Sequence, residues 1–424
     1  MIKFGASLRG LMLGVGLCAA VSAAVPAGGQ EMTVENPTAQ GLAEWLTGFR
    51  PRALAAGITA GTLDQTLPQI RFRPDVVERD RKQDEFTKTI WEYLDKAVSD
   101  DRIVAGQKAA KKYRAVLDRI EARYQVDRNV VLAIWGLESA YGAVRGDIPV
   151  LDALATLSYD ARRGEFFEGE LIGALRIVQG GAVAPAQFVG SWAGASGHTQ
   201  FMPSSVLATA VDFAGASQPD LWSDDPSDGL ASAAAYLAKA GWQMGVPWGR
   251  EVTVPGRFDL GQSGRRTQRP MAVWAGLGVT LTDGAALPSD GWAALVLPAG
   301  TRGPAFLVTD NFAAIEAYNK ADAYVIAVGH LADRIGGGAA ILHDWPRDLR
   351  ALTLPERQEM QARLMAEGLY SGAADGKVGP LTYGAVKAFQ VRQGMAADAY
   401  ASLEVLNALR ARQGPVVPVA VVQE

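Results

Sequence analysis

A mainly α-helical protein, with one small β-rich insertion and a short three-helix module near the carboxy terminus, is the architecture the sequence predicts. Three observations carry it. Apolar residues recur three and four apart through most of residues 42–236 and again through 312–335. Gly, Pro and Thr break up short apolar runs between 250 and 308. Three amphipathic stretches then follow one another inside 354–409.

The amino terminus differs from the rest. Lys3 and Arg9 precede an apolar, Gly-rich run from Leu11 to Val25, with small residues Ser22-Ala23-Ala24 near its end. This is the pattern of a secretory signal peptide, cleaved between Ala23 and Ala27, and it predicts export to the periplasm. The run is shorter than the ~20 apolar residues a membrane span needs, and no later stretch is long enough, so a soluble mature protein is expected. Cys18, the single cysteine, would accept lipid in an outer-membrane lipoprotein, but bulky Leu17 stands where such sites favour a small residue, and that reading is discounted. A cleaved chain has no cysteine, which excludes disulfides and cysteine metal clusters.

Length and charge narrow the class. A chain of 424 residues suggests two or three domains. The net charge of -4, from 41 basic and 45 acidic residues, lacks the basic footprint of a nucleic-acid binder.

The helical region reads element by element. Ile90, Tyr93, Leu94 and Val98 make one apolar stripe, and Tyr113, Val116, Leu117 and Ile120 another, with breaks at Gly180-Gly181, Pro203 and Pro219. Residues 294–297 and 305–308 read as strands of the insertion. Helical spacing resumes from Phe312 to Ile335, and Gly336-Gly337-Gly338 and His343-Asp344-Trp345-Pro346 close the large domain. Residues 357–367, 380–393 and 402–410 form the module, whose small core suits binding better than chemistry. The expected boundaries are a signal peptide at 1–27, a catalytic domain at 35–345, a binding domain at 352–412 and a Pro/Val-rich tail at 413–424.

Two motifs point to chemistry. The first is GLESAYG, residues 136–142, at the end of the apolar run Val130-Val131-Leu132-Ala133-Ile134-Trp135. Asp127 is placed to cap that helix, and Glu138 falls four after Ile134 and eight after Val130, on the inward stripe. Burial beside apolar groups raises a carboxyl pKa and makes a proton donor near neutral pH. The pattern alone leaves open a second reading, a Glu at a helix end that reaches a backbone N–H or an Arg such as Arg145.

The second motif is GSWAGASGHTQFMPSS, residues 190–205. Gly190, Gly194 and Gly197 imply tight turns or the close approach of a ligand. Ser191, Thr199, Gln200 and Ser204 offer neutral hydrogen-bonding groups, a lining that suits a sugar.

Taken together, and with LDALATLSYDARRGEFF (151–167), DGLASAAAYLAKAGW (228–242) and DNFAAIEAYNKADAYVIAV (310–328), these motifs resemble the membrane-bound lytic transglycosylase B family of cell-wall enzymes. The resemblance runs from about Leu42 to Ile335. It implies a lysozyme-like catalytic domain with Glu138 as the single acid/base and Ser191 and Gln200 lining the cleft. It further implies a sugar-binding wall of Tyr236, Tyr318, Asn319 and Tyr324, with Tyr93 a weaker carry-over. The sequence departs from the family at Ser196, where Met is usual, a change expected to widen a subsite. Some relatives carry a calcium loop; no run here alternates acidic ligands in that way, and neither metal nor cofactor is expected.

The mechanism the resemblance implies uses one carboxyl where most glycosidases use two. Asp147, Asp152, Asp160, Glu165 and Glu168 are the candidates for a second, and one facing the cleft would favour a hydrolytic muramidase. His198, His330 and His343 lack zinc-ligand spacing. A non-catalytic wall-binding scaffold is the other alternative. The carboxy-terminal module supports the wall in either case, since LMAEGLYSGAADGKVGPLTYGAVKAFQVRQGM (364–395) resembles the three-helix peptidoglycan-binding domain through Asp375-Gly376, Gly379, Thr382 and Phe389-Gln390. Peptidoglycan is the expected partner, with wall-synthesis or division proteins left unassigned.

Overall fold

The structure is a computed structural model that describes residues 33–82 and 88–413. The expected signal peptide and residues 414–424 of the expected tail lie outside them. The chain divides into two compact units, one built from Met1–Glu85 with Glu138–Gly229, the other from Phe86–Leu137 with Leu230–Glu424.

The first unit is helical around Val150–Asp160, in which every position but Tyr159 is buried. Its sequence, VLDALATLSYD, mixes apolar residues with buried polar ones that find partners, Asp152 accepting the Arg71 N–H at 2.9 Å and Thr156 the Arg73 N–H at 3.1 Å, as a helix packed on several sides requires. Helices Ala39–Ala55, Pro74–Lys82 and Gly164–Gln179 pack against it. A two-stranded antiparallel pair, β1 (Ile148–Pro149) and β2 (Val189–Gly190), sets Gly190 opposite Ile148 and so fixes where the glycine-rich motif begins.

The second unit contains the β-rich insertion expected between 250 and 308. Strands β3 (Gly249–Thr253), β4 (Arg269–Pro270), β5 (Thr280–Leu281), β6 (Trp292–Val296) and β7 (Ala305–Val308) form an antiparallel sheet in the order β4-β6-β7-β3-β5. Its core gathers Val252, Met271, Trp274, Leu295 and Leu307. The helical return expected from Phe312 to Ile335 is two helices, Asp310–Glu316 and Asp322–Ile335. Asn319 causes part of the break: its side chain accepts the Ala321 N–H at 3.0 Å, a turn bond that competes with helix continuation.

The carboxy-terminal module is three helices, Leu354–Ala366, Pro380–Gln393 and Leu403–Gln413. Thr353 and Glu356 make a reciprocal capping box at the first. Its own core comprises Leu352, Met360, Leu364, Val386, Phe389, Leu406 and Leu409. No helix among the described residues is long and apolar enough to cross a membrane.

Candidate active site

The helix Arg128–Ser139 carries the acid. Asp127 caps it as expected, its Oδ1 accepting the Asn129 N–H at 2.7 Å. Val130 to Trp135 are all buried, yet Glu138 and its neighbour Leu137 are only half-buried. The inward stripe therefore does not continue to Glu138 as the spacing implied. The reason is local: the helix stops at Ser139, and Ala140, Tyr141 and Gly142 follow in left-handed backbone with φ of 49°, 59° and 85°. Two consecutive non-glycine residues in that region store about 1–2 kcal/mol each. Ser139 holds the turn, donating to the His198 carbonyl at 2.6 Å and accepting the Gly142 N–H at 3.0 Å.

His198 belongs to the glycine-rich motif, so Ser139 ties the end of the acid's helix to that loop. Within the loop the glycines serve close packing. A Cβ on Gly194 (φ 87°) would lie 2.5 Å from Leu154 Cδ2, and one on Gly197 (φ 76°) 2.6 Å from the Leu221 carbonyl. Ser191 Oγ accepts the N–H groups of Ala193 at 3.3 Å and Ala195 at 3.1 Å. Gln200, itself left-handed with φ 50°, donates through Nε2 to the carbonyls of Arg145 at 3.0 Å and Gly197 at 2.9 Å. Both side chains are buried, so their bonds hold the loop's shape. Ser196 is buried as well, its hydroxyl accepting from Trp222 Nε1 at 3.1 Å, so the expected widening of a subsite has no exposed side chain behind it.

Arg145 donates to the carbonyls of Trp222 and Ser223 and to Asp224. His198 Nε2 lies 2.9 Å from the Ser223 carbonyl, and burial holds its imidazole below the usual pKa. Beneath this segment Asp228, 2% exposed, accepts the N–H groups of Phe213, Ala214 and Asp220 at 2.9, 2.8 and 2.8 Å.

The candidate second carboxylates fare differently. Asp152 accepts the Arg71 N–H at 2.9 Å, Asp160 pairs with Arg81 at 2.6 Å, and Glu168 takes a two-pronged contact from Arg52 at 2.7 and 2.9 Å. Asp147 and Glu165 are exposed. Glu170, which the motifs do not mark, is 4% exposed, accepts from Ser204 N and Oγ at 2.9 and 2.6 Å, and has its pKa raised by burial. Its position three after Phe167 and four before Ala174, both buried, was the available signal.

The expected sugar wall falls in the second unit. Tyr236 and Tyr318 meet edge to face at 5.2 Å, and Tyr318 stacks on Tyr324 at 6.5 Å. Tyr236 donates its hydroxyl to the Ala317 carbonyl at 2.8 Å. Tyr318 and Tyr324 are buried, while Tyr236, Asn319 and Tyr93 are half-buried. The structure thus joins three tyrosines in one cluster in one unit, and in the other sets Ser191 and Gln200 in one loop to which Ser139, at the helix end, is bonded. Among the described residues no cluster of His, Cys, Asp or Glu could hold a metal ion.

The family model for a transglycosylase SLT domain matches residues 41–333. The chain belongs to that family. A second model, for a putative peptidoglycan binding domain, matches residues 353–409. Among solved structures, SltB3 from Pseudomonas aeruginosa in complex with NAG-anhNAM-pentapeptide is 44% identical, with a TM-score of 0.84, covering 88% of this chain and 100% of that one. The Escherichia coli lytic transglycosylase Slt35 in complex with bulgecin A is 29% identical with a TM-score of 0.58, covering 71% of this chain and 93% of that one. Membrane-bound lytic murein transglycosylase B of Escherichia coli is 34% identical over 245 residues, 57% of this chain and 66% of that relative's length. The SLT domain is therefore lysozyme-like in fold, with the small sheet as its insertion and the three-helix peptidoglycan-binding domain behind it.

Proposed function

We propose that this SLT-family chain is a lytic transglycosylase that cleaves the β-1,4 bond between N-acetylmuramic acid and N-acetylglucosamine in peptidoglycan, with Glu138 as its one acid/base. The observation that carries the reading is Glu138 at the half-buried end of an apolar helix whose next residue, Ser139, is bonded to the glycine-rich loop. Glu138 donates its proton to the leaving glycosidic oxygen, and the substrate's acetamido group stabilises the developing positive charge. The carboxylate then takes the proton of the muramic 6-hydroxyl, whose oxygen closes on the anomeric carbon to give a 1,6-anhydro end.

Ser191 and Gln200 shape the loop beside the acid. Tyr236, Tyr318, Asn319, Tyr324 and Tyr93 form the sugar wall, with Tyr236 and Tyr93 offering ring surface and the two buried tyrosines backing it. The arginine and backbone partners of Asp152, Asp160 and Glu168 favour the single-carboxyl route over a hydrolytic muramidase. The catalytic domain occupies residues 35–345 and the wall-binding domain 352–412, and the mature protein works in the periplasm after loss of residues 1–27. Mass spectrometry of material released from purified peptidoglycan tests the reading. Anhydromuramic ends, absent with Glu138→Gln, are expected; reducing muramic ends would mean hydrolysis, and no release would leave a scaffold.

A further inference from the structure

A concavity of about 560 Å³ lies entirely within the second unit, and no step of the reaction above uses it. Its lining comes from four places: the start of the Arg128–Ser139 helix, the loop from Trp242 to Trp248 with β3, the β5 turn, and the end of the Asp322–Ile335 helix with the segment that follows. The volume falls in the range of small-molecule sites, about 300–1,000 Å³.

The charges in it are unbalanced locally. Asp127 and Asp333 are close enough for one carboxylate to act on the other, and burial first, then that like charge, lift Asp333 to about 6 against the opposing Trp248 hydrogen bond and Arg250 charge. One oxygen of each is engaged: Asp127 Oδ1 by the Asn129 N–H and Asp333 Oδ2 by the Trp248 indole at 2.9 Å. The second oxygens have no partner among the described residues. Arg250 is exposed on the lining and makes no ion pair among the described residues, and the buried Trp242 Nε1 likewise has no acceptor. Trp248 and Phe306, whose rings lie 5.9 Å apart, add aromatic lining. Two carboxylates on which Arg250 acts only from beyond ion-pair distance, that guanidinium itself and an aromatic lining together describe a receptor for a ligand with an ammonium and a carboxylate joined by an aliphatic stem.

We propose that this concavity binds the zwitterionic end of a wall peptide stem, its ammonium between Asp127 and Asp333, its carboxylate on Arg250 and its aliphatic part against Trp248 and Phe306. The choice of a wall stem as the source rests on the peptidoglycan reading above; the chemistry of the site does not.

Calorimetric titration of the full chain with Nα-acetyl-L-lysyl-D-alanyl-D-alanine tests it, because this tripeptide has no glycosidic bond and is read independently of turnover. Saturable binding is expected, weakened about tenfold or more by Arg250→Met and by Asp333→Asn, and equally by acetylating the lysine ammonium or amidating the terminal carboxylate. Asn keeps an acceptor for Trp248 and Arg250 is exposed, so both variants should melt near the parent, which a thermal scan checks. No saturable binding, or binding that survives both substitutions, would overturn the proposal, the latter by moving the peptide to the carboxy-terminal domain. Free L-lysine binding as tightly as the tripeptide would overturn the wall-stem source and assign the site to a free amino acid. Tripeptide binding without anhydro product would sink the proposed reaction and leave this site standing.

Discussion

Ser139 shows how much of the proposed chemistry depends on a residue that does none of it. Its hydroxyl joins the His198 carbonyl to the Gly142 N–H across a turn that holds two non-glycine residues left-handed. Ser139→Ala should lower kcat on purified peptidoglycan about tenfold, equivalent to ~1.4 kcal/mol, with KM little changed, because the acid is misplaced while the sugar-binding groups remain. His330 gives a pH signature. Burial first, and then Arg334, depress its pKa to about 4, with Glu251 opposing, so the folded state keeps it neutral. The unfolded chain binds the proton more readily, near 6.5, so this contribution is complete above about pH 6.5 and lost as pH falls toward 4. Denaturant melts at pH 7 and pH 4.5 should show a smaller acid loss in His330→Gln than in the parent. At this scale the sequence revealed an acid where apolar residues were expected, and so pointed to Glu138. It did not reveal Ser139, Glu170 or Asp228, because what sets each apart is a partner 59, 34 or 15 residues away.

The elements show where local signals suffice. Strands were legible at 294–297 and 305–308 because short apolar runs sit between turn residues, and β6 and β7 fall within one or two residues of them. The glycine-rich motif was legible as irregular backbone, but two uses of its glycines stayed open until neighbours were in place. Leu154 and the Leu221 carbonyl, from distant segments, decide for packing. A paired substitution separates strain from crowding. Gly194→Ala must take both a left-handed φ and a clash with Leu154, and should cost roughly 2–4 kcal/mol; Gly181→Ala takes φ 78° with nothing within 4 Å and should cost about 1 kcal/mol. Equal midpoints in thermal melts would mean that Leu154 yields freely.

The whole molecule holds what the sequence hid most. Reading along the chain gives a large domain followed by a small one, whereas the compact units interleave, with residues 86–137 grouped with the chain after 230. No composition change marks that exchange, since both partners are helical and the choice is made by long-range packing. The carboxy-terminal domain meets the insertion through polar contacts, Lys387 Nζ on the Ser263 carbonyl at 2.7 Å and Asp398 Oδ2 under the Thr301 N–H at 3.0 Å. Its own core is closed, so a chain ending at Leu349 should remain folded. That truncation should cleave soluble muropeptides at an unchanged rate and bind purified peptidoglycan at least about tenfold more weakly, through loss of the linked second contact, as a sedimentation assay would read. If one carboxyl, Glu138, breaks the glycosidic bond without consuming water, digestion of peptidoglycan in ¹⁸O-water will reveal it. The products should be anhydromuramic and free of ¹⁸O, and lost altogether in Glu138→Gln; one ¹⁸O at each new muramic anomeric carbon would rule the single-carboxyl route out and require a second group to activate water.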